Sequence, residues 1–458
     1  MFETITSLRP VAGWAAALAE ADLDTLDDAA RIDLIRALEE VKCAAEGAQG
    51  RLTAGFEVSQ RARAAEKGVG LERRGRGIAE QIALARRTSP HRGRRLLGLA
   101  RALATDLTCT GAALRAGKIT EYRASLIATE TSCLSAEDRM IVDATLAGDP
   151  ARIETMGDRE TAAEARKMAA ELDAEAVADR RRRAEADRHV SLRPAPDTMT
   201  WFGALLPVGE GVAVFAALKT AADSARAAGD PRTRGQVMAD TLVERVTGVS
   251  GASGGYEAGG TATTGDGTST TGEGTTTPGG MNLNVTMTDW ALFTGSDDPA
   301  HLDGYGPIPA DLAREIVAEA LEADEQVWLR RLYTHPGTGE LVAMDSRQRL
   351  FRGSLARFLR LRDRTCRTPW CDAPIRRGDH ATEHQSGGPT SDRNGQGLCE
   401  ACDLAKQAPG WRASPVTDAL GHEIKTTTPT GHRYRSRAPS LVRPPYRLTR
   451  PGVWTLVA

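Results

Sequence analysis

Aromatic side chains are scarce in this chain, 4% of 458 residues, against a heavy load of Ala, Leu, Arg and Glu. Strands draw on aromatic and β-branched residues, so this usage favours packed helices over sheets. Long apolar runs are missing as well. The longest are of the kind Val212–Leu218, far short of the ~18 residues of a membrane span. Met1-Phe2-Glu3-Thr4 sets an acid where a secretory signal needs basic residues, and Pro10 and Trp14 interrupt any apolar core. These absences predict a cytosolic protein with no membrane partner. Residues 1–345 contain no phosphate loop, dinucleotide fingerprint or nucleophile elbow, so whatever chemistry the chain performs lies further on. Cysteine is sparse too, at seven residues. In a reducing compartment, clustered cysteines are metal ligands or catalytic groups rather than disulfides.

What is present is unevenly spread. Residues 346–458 carry 20 Lys/Arg and 9 Asp/Glu, a net of +11, which leaves 39 basic and 52 acidic residues, a net of −13, for residues 1–345. A basic C-terminal part joined to an acidic remainder points to a polyanionic partner, nucleic acid ahead of a merely solubilising tail. The length suits about two to four domains at ~100–200 residues each.

Along the chain, residues 29–67 have a helical period, with Leu34, Leu38, Val41, Ala45, Ala48 and Leu52 spaced alternately by four and three, which predicts one apolar seam on a long helix. Cys43, Cys109 and Cys133 stand apart from one another and read as buried thiols. Residues 78–104 predict helix, break, helix, the break being the capping pair Ser89-Pro90. Arg92, Arg94, Arg95 and Arg101 in the second helix allow a helix-turn-helix reading, but two ordinary helices with a solvated basic face is the plainer one. Helices continue through 159–188 and end in Arg180–Arg183, a solvated run among acids. The period then changes. Strands are expected at Met199–Leu206 and Met281–Met287, helices at Val212–Ala228, Thr233–Val246 and Pro309–Leu321, and a hairpin at Val327–Tyr333 and Glu340–Met344. Residues 249–280, almost entirely Gly, Thr, Ser and Ala, bury too little surface to offset chain entropy and predict a disordered insertion.

The expected fold class is therefore a mainly α region over 1–195, a small α+β region over 196–345 broken by that insertion, and a basic zinc-stapled domain over 346–458. The staple is read from four cysteines. Cys366 and Cys371 are separated by four residues and Cys399 and Cys402 by two, with 27 between the pairs. Each pair supplies two thiolates from one tight turn, which is what a closed tetrahedral structural zinc site needs. Between the pairs lie Asp379-His380, His384, Gly387-Gly388-Pro389-Thr390 and Asn394, with Asp403 and Lys406 just beyond. A carboxylate beside a histidine is chemically useful, since Asp379 can hold a hard divalent cation while His380 deprotonates water.

These residues resemble a known family. The stretch Arg362–Trp411, with RDRTCRTPWC, GDH, GGPTSDRNGQGLCEAC and APGW, looks like the HNH endonucleases, specifically the actinobacterial type in which a long helical domain of uncharacterised function precedes the nuclease. GYGPIPADLAR, TGELVAMDSRQRLF and TPTGHRYRSRAP also look like that family's flanks. The resemblance implies a ββα-metal domain, with His380 as general base, Asp379 and Asp403 as ligands of a catalytic Mg²⁺ or Mn²⁺, and Asn394 bracing the loop and orienting His380. It further implies Lys406 as a phosphate contact and the four cysteines as structural zinc ligands.

The implied reaction is hydrolysis of phosphodiester bonds in double-stranded DNA, leaving 5′ phosphates. Arg362, Arg364, Arg367, Arg376, Arg377, Arg393, Arg433, Arg435 and Arg437 are expected to neutralise backbone phosphates, and His384 to be a solvated or DNA-facing loop residue. Two positions depart from the family pattern, Asp403 where Asn or His is common and Ala381-Thr382-Glu383 where two apolar residues and a proline are expected. They leave open a catalytically degenerate, zinc-stapled DNA-binding protein. A helical interaction protein with the zinc module as an appendix is a third reading, and the intact Asp379, His380, Asn394 and Lys406 favour the enzyme.

Overall fold

The computed structural model describes residues 8–247, 284–322, 332–334, 341–344, 354–416, 421–441, 446–450 and 453–456. The tract 249–280 and the turn of the expected 327–344 hairpin lie outside them. The chain divides into two compact units, Met1–Ala178 with Arg349–Ala438, and Asp179–Gln348 with Pro439–Ala458. The cysteine-bearing segment thus shares a unit with the N-terminal helices instead of standing alone. The boundary expected at residue 195 falls inside a hairpin, His189–Pro194 paired with Thr200–Leu205. Among the described residues no helix is long and apolar enough to cross a membrane.

The first unit begins with helices whose starts follow their capping residues. Asp27 accepts the Ala30 N–H at the head of the long helix Asp28–Glu66, and Ser89 accepts the Arg92 N–H at the head of Pro90–Thr105. Each such cap satisfies an otherwise orphaned donor. The core collects Leu107, Leu114, Ile127, Val142, Leu146 and Ile153. The Asp143 carboxylate sits within it and accepts the Thr110 N–H and hydroxyl at 2.9 and 2.6 Å and the Cys109 N–H at 2.6 Å.

The expected seam of the long helix is corrected. Val41 and Leu52 are 57% and 73% exposed, and the buried positions are Cys43, Gly47, Thr53 and Glu57. Gly47 lets the helix approach Arg115 closely, and Glu57 takes ion pairs from Arg61 and Arg101, so small and paired polar residues carry the contact rather than bulky apolar ones. Cys43 is buried as expected, but Cys109 and Cys133 are only half-buried against the core. The helices Ile78–Ala85 and Pro90–Thr105 pack on one another, with Arg94 and Arg101 paired to Glu80 and Glu57.

The helix Ile78–Ala85 also meets the C-terminal part of the same unit. Leu84 packs with Ala408, Trp411 and Tyr434, and Thr430 donates to the Gln81 side chain at 3.1 Å. Gly77, at φ +77°, lies directly beneath the Trp411 indole, where a Cβ would collide with the ring nitrogen.

A buried charge cluster fixes the C-terminal module internally. The helix Ser354–Asp363 ends in Arg362 and Asp363, which form a bidentate pair at 2.7 and 3.0 Å. Asp363 also accepts the Gly397 N–H at 2.7 Å and lies 3.7 Å from Arg367. Arg367 in turn donates to the carbonyls of His422 and Ser436. Burial first, and the Arg362 charge second, push the His422 imidazole down to about 4, so it is neutral as it donates to the Arg393 carbonyl. Removing one member of such a cluster strands the others without water. Asp363→Ala is therefore expected to destabilise the module by about 3–5 kcal/mol. Urea unfolding of the full chain, followed by tryptophan emission, checks this, and an unchanged midpoint counts against the cluster's role.

The second unit is lighter. Helices Val208–Ala227 and Arg234–Thr247 pack together, and Arg232 bridges Asp230 and Asp240. A three-stranded sheet, Val285–Thr286, Ala300–Leu302 and Gly306–Ile308, backs the helix Ala310–Glu322 through Ala300, Ile308 and Ala313. Only Val285–Thr286 of the strand expected at 281–287 is described as strand. Hairpins Leu332–Thr334 with Leu341–Met344, and Tyr446–Arg450 with Val453–Leu456, complete it.

Candidate functional site

The four cysteines converge. Their sulfurs all lie within 4.8 Å of one another and all four residues are buried. A tetrahedral zinc with Zn–S bonds of about 2.3 Å requires sulfurs about 3.8 Å apart, and Cys371 Sγ lies 3.7 Å from Cys399 Sγ. Hydrogen bonds from Cys366, then Cys371 and Cys402, hold the Cys399 thiol far below its ordinary range, while Cys366, then Cys371 and Cys399, push Cys402 far above it. The four sulfurs thus share protons within one cluster, and it could hold a structural metal such as zinc. Around it the described packing is thin, with Leu398, Ala373 and Ala401 as apolar neighbours.

From the first pair through the second the chain runs as strand, strand, helix. Arg377–His380 pairs antiparallel with Gly395–Leu398, setting Asp379 opposite Gln396 and His380 opposite Gly395, and the helix Glu400–Lys406 follows. The Cys399 sulfur accepts the Cys402 N–H at that helix's start, so the second cysteine pair also shapes the turn that presents Asp403 and Lys406.

Asp379 and His380 end the first strand, on the wall of a cleft of about 420 Å³ that also includes Glu383, His384, Lys406 and Gln407. The Asp379 carboxylate accepts from Gln396 at 2.9 Å and from Lys406 Nζ at 2.7 Å. Lys406 Nζ donates as well to the His380 carbonyl. His380 Nε2 lies 2.8 Å from the Thr390 hydroxyl, and the His384 ring is 5.9 Å away, edge-on. Asn394 is 2% exposed and spans the intervening loop. It accepts the Thr382 N–H at 2.8 Å and donates to the carbonyls of Thr382 and Pro389 at 2.9 and 2.8 Å. Gly388 lies where any side chain would strike the Thr382 carbonyl, which accounts for the glycine at that turn of the loop.

Asp403 is 6% exposed. Burial first, and the negative charge of Asp379 second, raise its carboxyl above the usual range, partly offset by Arg377 at 3.6 Å and by Lys406. Two carboxylates are held within electrostatic reach of one another, and hard oxygen donors of this kind fit Mg²⁺ or Mn²⁺.

Of the site residues named from sequence, Asp379, His380, His384 and Lys406 line one cleft, Asn394 braces the adjoining loop, and Asp403 stands on the helix outside the cleft's lining. Lys406, 9% exposed, is spent on Asp379 and His380 and not on a solvent-facing phosphate contact. Arg362 and Arg367 are 2% and 3% exposed and bind protein carbonyls and Asp363, so neither neutralises backbone phosphate. Sequence reasoning missed Gln396, whose only signal is its cross-strand place opposite Asp379, and the part of Thr390 at the His380 ring.

The fold and site define a helix-rich protein with a four-cysteine, strand–strand–helix module near its C-terminus. The chain belongs to the family described as "Domain of unknown function (DUF222)", whose model matches residues 37–363. It is also 32% identical over 146 residues to "Uncharacterized protein Rv3776" of Mycobacterium tuberculosis (strain ATCC 25618 / H37Rv), a region covering 31% of this chain and 25% of that protein. The chain thus spans about a quarter of the length of that relative. No solved structure matches it. The family match stops three residues before Cys366, so the function of the cysteine-bearing module must be argued from its own residues.

Proposed function

We propose that this chain is a metal-dependent HNH-type endonuclease that hydrolyses phosphodiester bonds in DNA, acting in the cytoplasm. The observation that carries the reading is the Asp379-His380 pair at the end of one strand, lining a cleft with Lys406 of the following helix, which is bonded to Asp379, while Asp403 of that helix lies within electrostatic reach of Asp379. His380 takes a proton from water, and the hydroxide attacks the phosphorus in line with the leaving 3′ oxygen, which yields a 5′ phosphate and a 3′ hydroxyl. Thr390 and the Asn394-braced loop hold the His380 ring in place, and Gln396 and Lys406 hold the Asp379 carboxylate. Asp379 and Asp403 are the residues that would hold a Mg²⁺ or Mn²⁺, which would supply charge stabilisation for the phosphate and the leaving oxygen. Zinc on Cys366, Cys371, Cys399 and Cys402 is structural, since four thiolates fill a tetrahedral shell and leave no place for water.

One observation favours a second reading. Glu383 lines the cleft, where a carboxylate repels phosphate, as in a zinc-stapled DNA-binding protein that no longer cuts. The two readings part on supercoiled plasmid. Purified full-length protein is expected to nick or linearise it in Mg²⁺ or Mn²⁺, to stop on addition of EDTA, and to leave ends that ligase reseals. Binding without metal-dependent cutting selects the second reading.

A further inference from the structure

Beyond the cleft, the chain continues into a three-stranded antiparallel sheet, Arg412–Pro415, Glu423–Thr427 and Arg433–Arg437. Its register pairs Arg412 with Thr427, Lys425 with Arg435, Thr427 with Arg433 and Glu423 with Arg437. Cross-strand partners share a face and alternate residues share a face, so Arg412, Lys425, Arg433, Arg435 and Arg437 all stand on one side. The other side is the packed one, with Ile424 1% exposed and Tyr434 against Leu84, Ala408 and Trp411.

The cations on the open face are not equivalent. Arg435 and Arg437 are committed to the buried Glu423 carboxylate at 2.9 and 2.6 Å. Among the described residues, Arg412, Lys425 and Arg433 have no ion pair. These three line a cavity of about 580 Å³ whose opposite wall includes Thr382, Glu383 and Lys406 of the candidate active site. Glu383 is the acid on that wall, and the Gln385 amide donates to it at 2.6 Å.

We propose that Arg412, Lys425 and Arg433 form a platform that holds the backbone of duplex DNA and leads it into the Asp379-His380 cleft, a placement that rests on the nuclease reading. Three strands at about 4.8 Å spacing make a face about 10 Å across. Contacts to the backbone carry no base preference. Arg435 and Arg437 serve the sheet by covering Glu423 and add little to binding, which divides the expected roles of Arg433, Arg435 and Arg437.

The test is fluorescence anisotropy of full-length protein on a fluorescein-labelled DNA duplex in EDTA, across a salt series. Removing Arg412, Lys425 and Arg433 together (R412Q/K425Q/R433Q) is expected to weaken binding at least tenfold and to reduce the slope of log affinity against log salt by about 2.7, at ~0.9 per phosphate contact. R51Q/R63Q/R159Q, which removes three exposed arginines of the helical part, is expected to leave the slope as in the wild type. The single Lys425→Gln is expected to lower it by about 0.9, which keeps the question open to an answer should the triple variant lose its fold. A wild-type slope in the sheet variants, or equal losses in both triples, overturns the platform. So does release from anionic lipid vesicles with DNA binding intact. Wild-type protein that binds with the expected slope but never cuts in Mg²⁺ or Mn²⁺ removes the nuclease reading and leaves the platform standing.

Discussion

Cys399→Ser is expected to abolish zinc binding and unfold the C-terminal module, and with it the proposed DNA binding and cleavage. The substitution is chosen because serine is itself a good helix N-cap. The hydroxyl can still accept the Cys402 N–H at the start of Glu400–Lys406, so the loss falls on the metal. Structural zinc at such sites contributes ~10–16 kcal/mol, as much as the ~5–15 kcal/mol net stability of a whole domain. Few apolar contacts stand in reserve, because the residues packed on the cysteines are Leu398, Ala373 and Ala401. Metal content by mass spectrometry and thermal unfolding by tryptophan emission are the readouts. Trp370 and Trp411 lie in or against the module. Unchanged zinc stoichiometry and unchanged melting would contradict the assignment.

The helices were the legible part of the fold. Ser89 announces its helix by type and position and is observed as an N-cap, and the helix expected over 29–67 is observed as Asp28–Glu66. Side-chain bulk misled where packing depends on close approach. The long helix faces its neighbours through Cys43 and Gly47, which no hydrophobicity pattern marks as a seam. Short strands were lost for a related reason. Ala300–Leu302 and Gly306–Ile308 are three residues each, too short to show a period, and His189–Pro194 is almost wholly exposed, so its alternation is not one of apolar against polar.

In the candidate site, Asp379, His380 and the cysteines could be named because their types and spacings carry the chemistry directly, and Asn394 because the family resemblance implies it. Burial could not be read the same way. Arg362 and Arg367 look in sequence like the other arginines of a basic tail, yet a single buried acid, Asp363, turns both into internal braces. The sheet Arg412–Arg437 hid its meaning until the register placed its cations on one face, although the alternation in Arg433-Tyr434-Arg435-Ser436-Arg437 is the trace of it in sequence.

Cleavage by His380→Ala tests the central claim most directly. The alanine protein retains Asp379, Asp403 and the sheet arginines, so metal and phosphate are still held. What is lost is the group that takes the proton from water, and a positioned general base contributes ~10²–10⁴ in rate. The imidazole bonds the exposed-side Thr390 hydroxyl, and the buried cluster is built on Arg362, Asp363 and the Gly397 N–H, so the fold is expected to survive. The measurement is the first-order rate of supercoiled plasmid cleavage in Mn²⁺ under enzyme excess, with anisotropy on the same duplex as the binding control. The account predicts a rate lower by ~10²–10⁴ with affinity within about twofold of wild type. Cleavage by purified His380→Ala at the wild-type rate, with contaminating nuclease excluded, would contradict it.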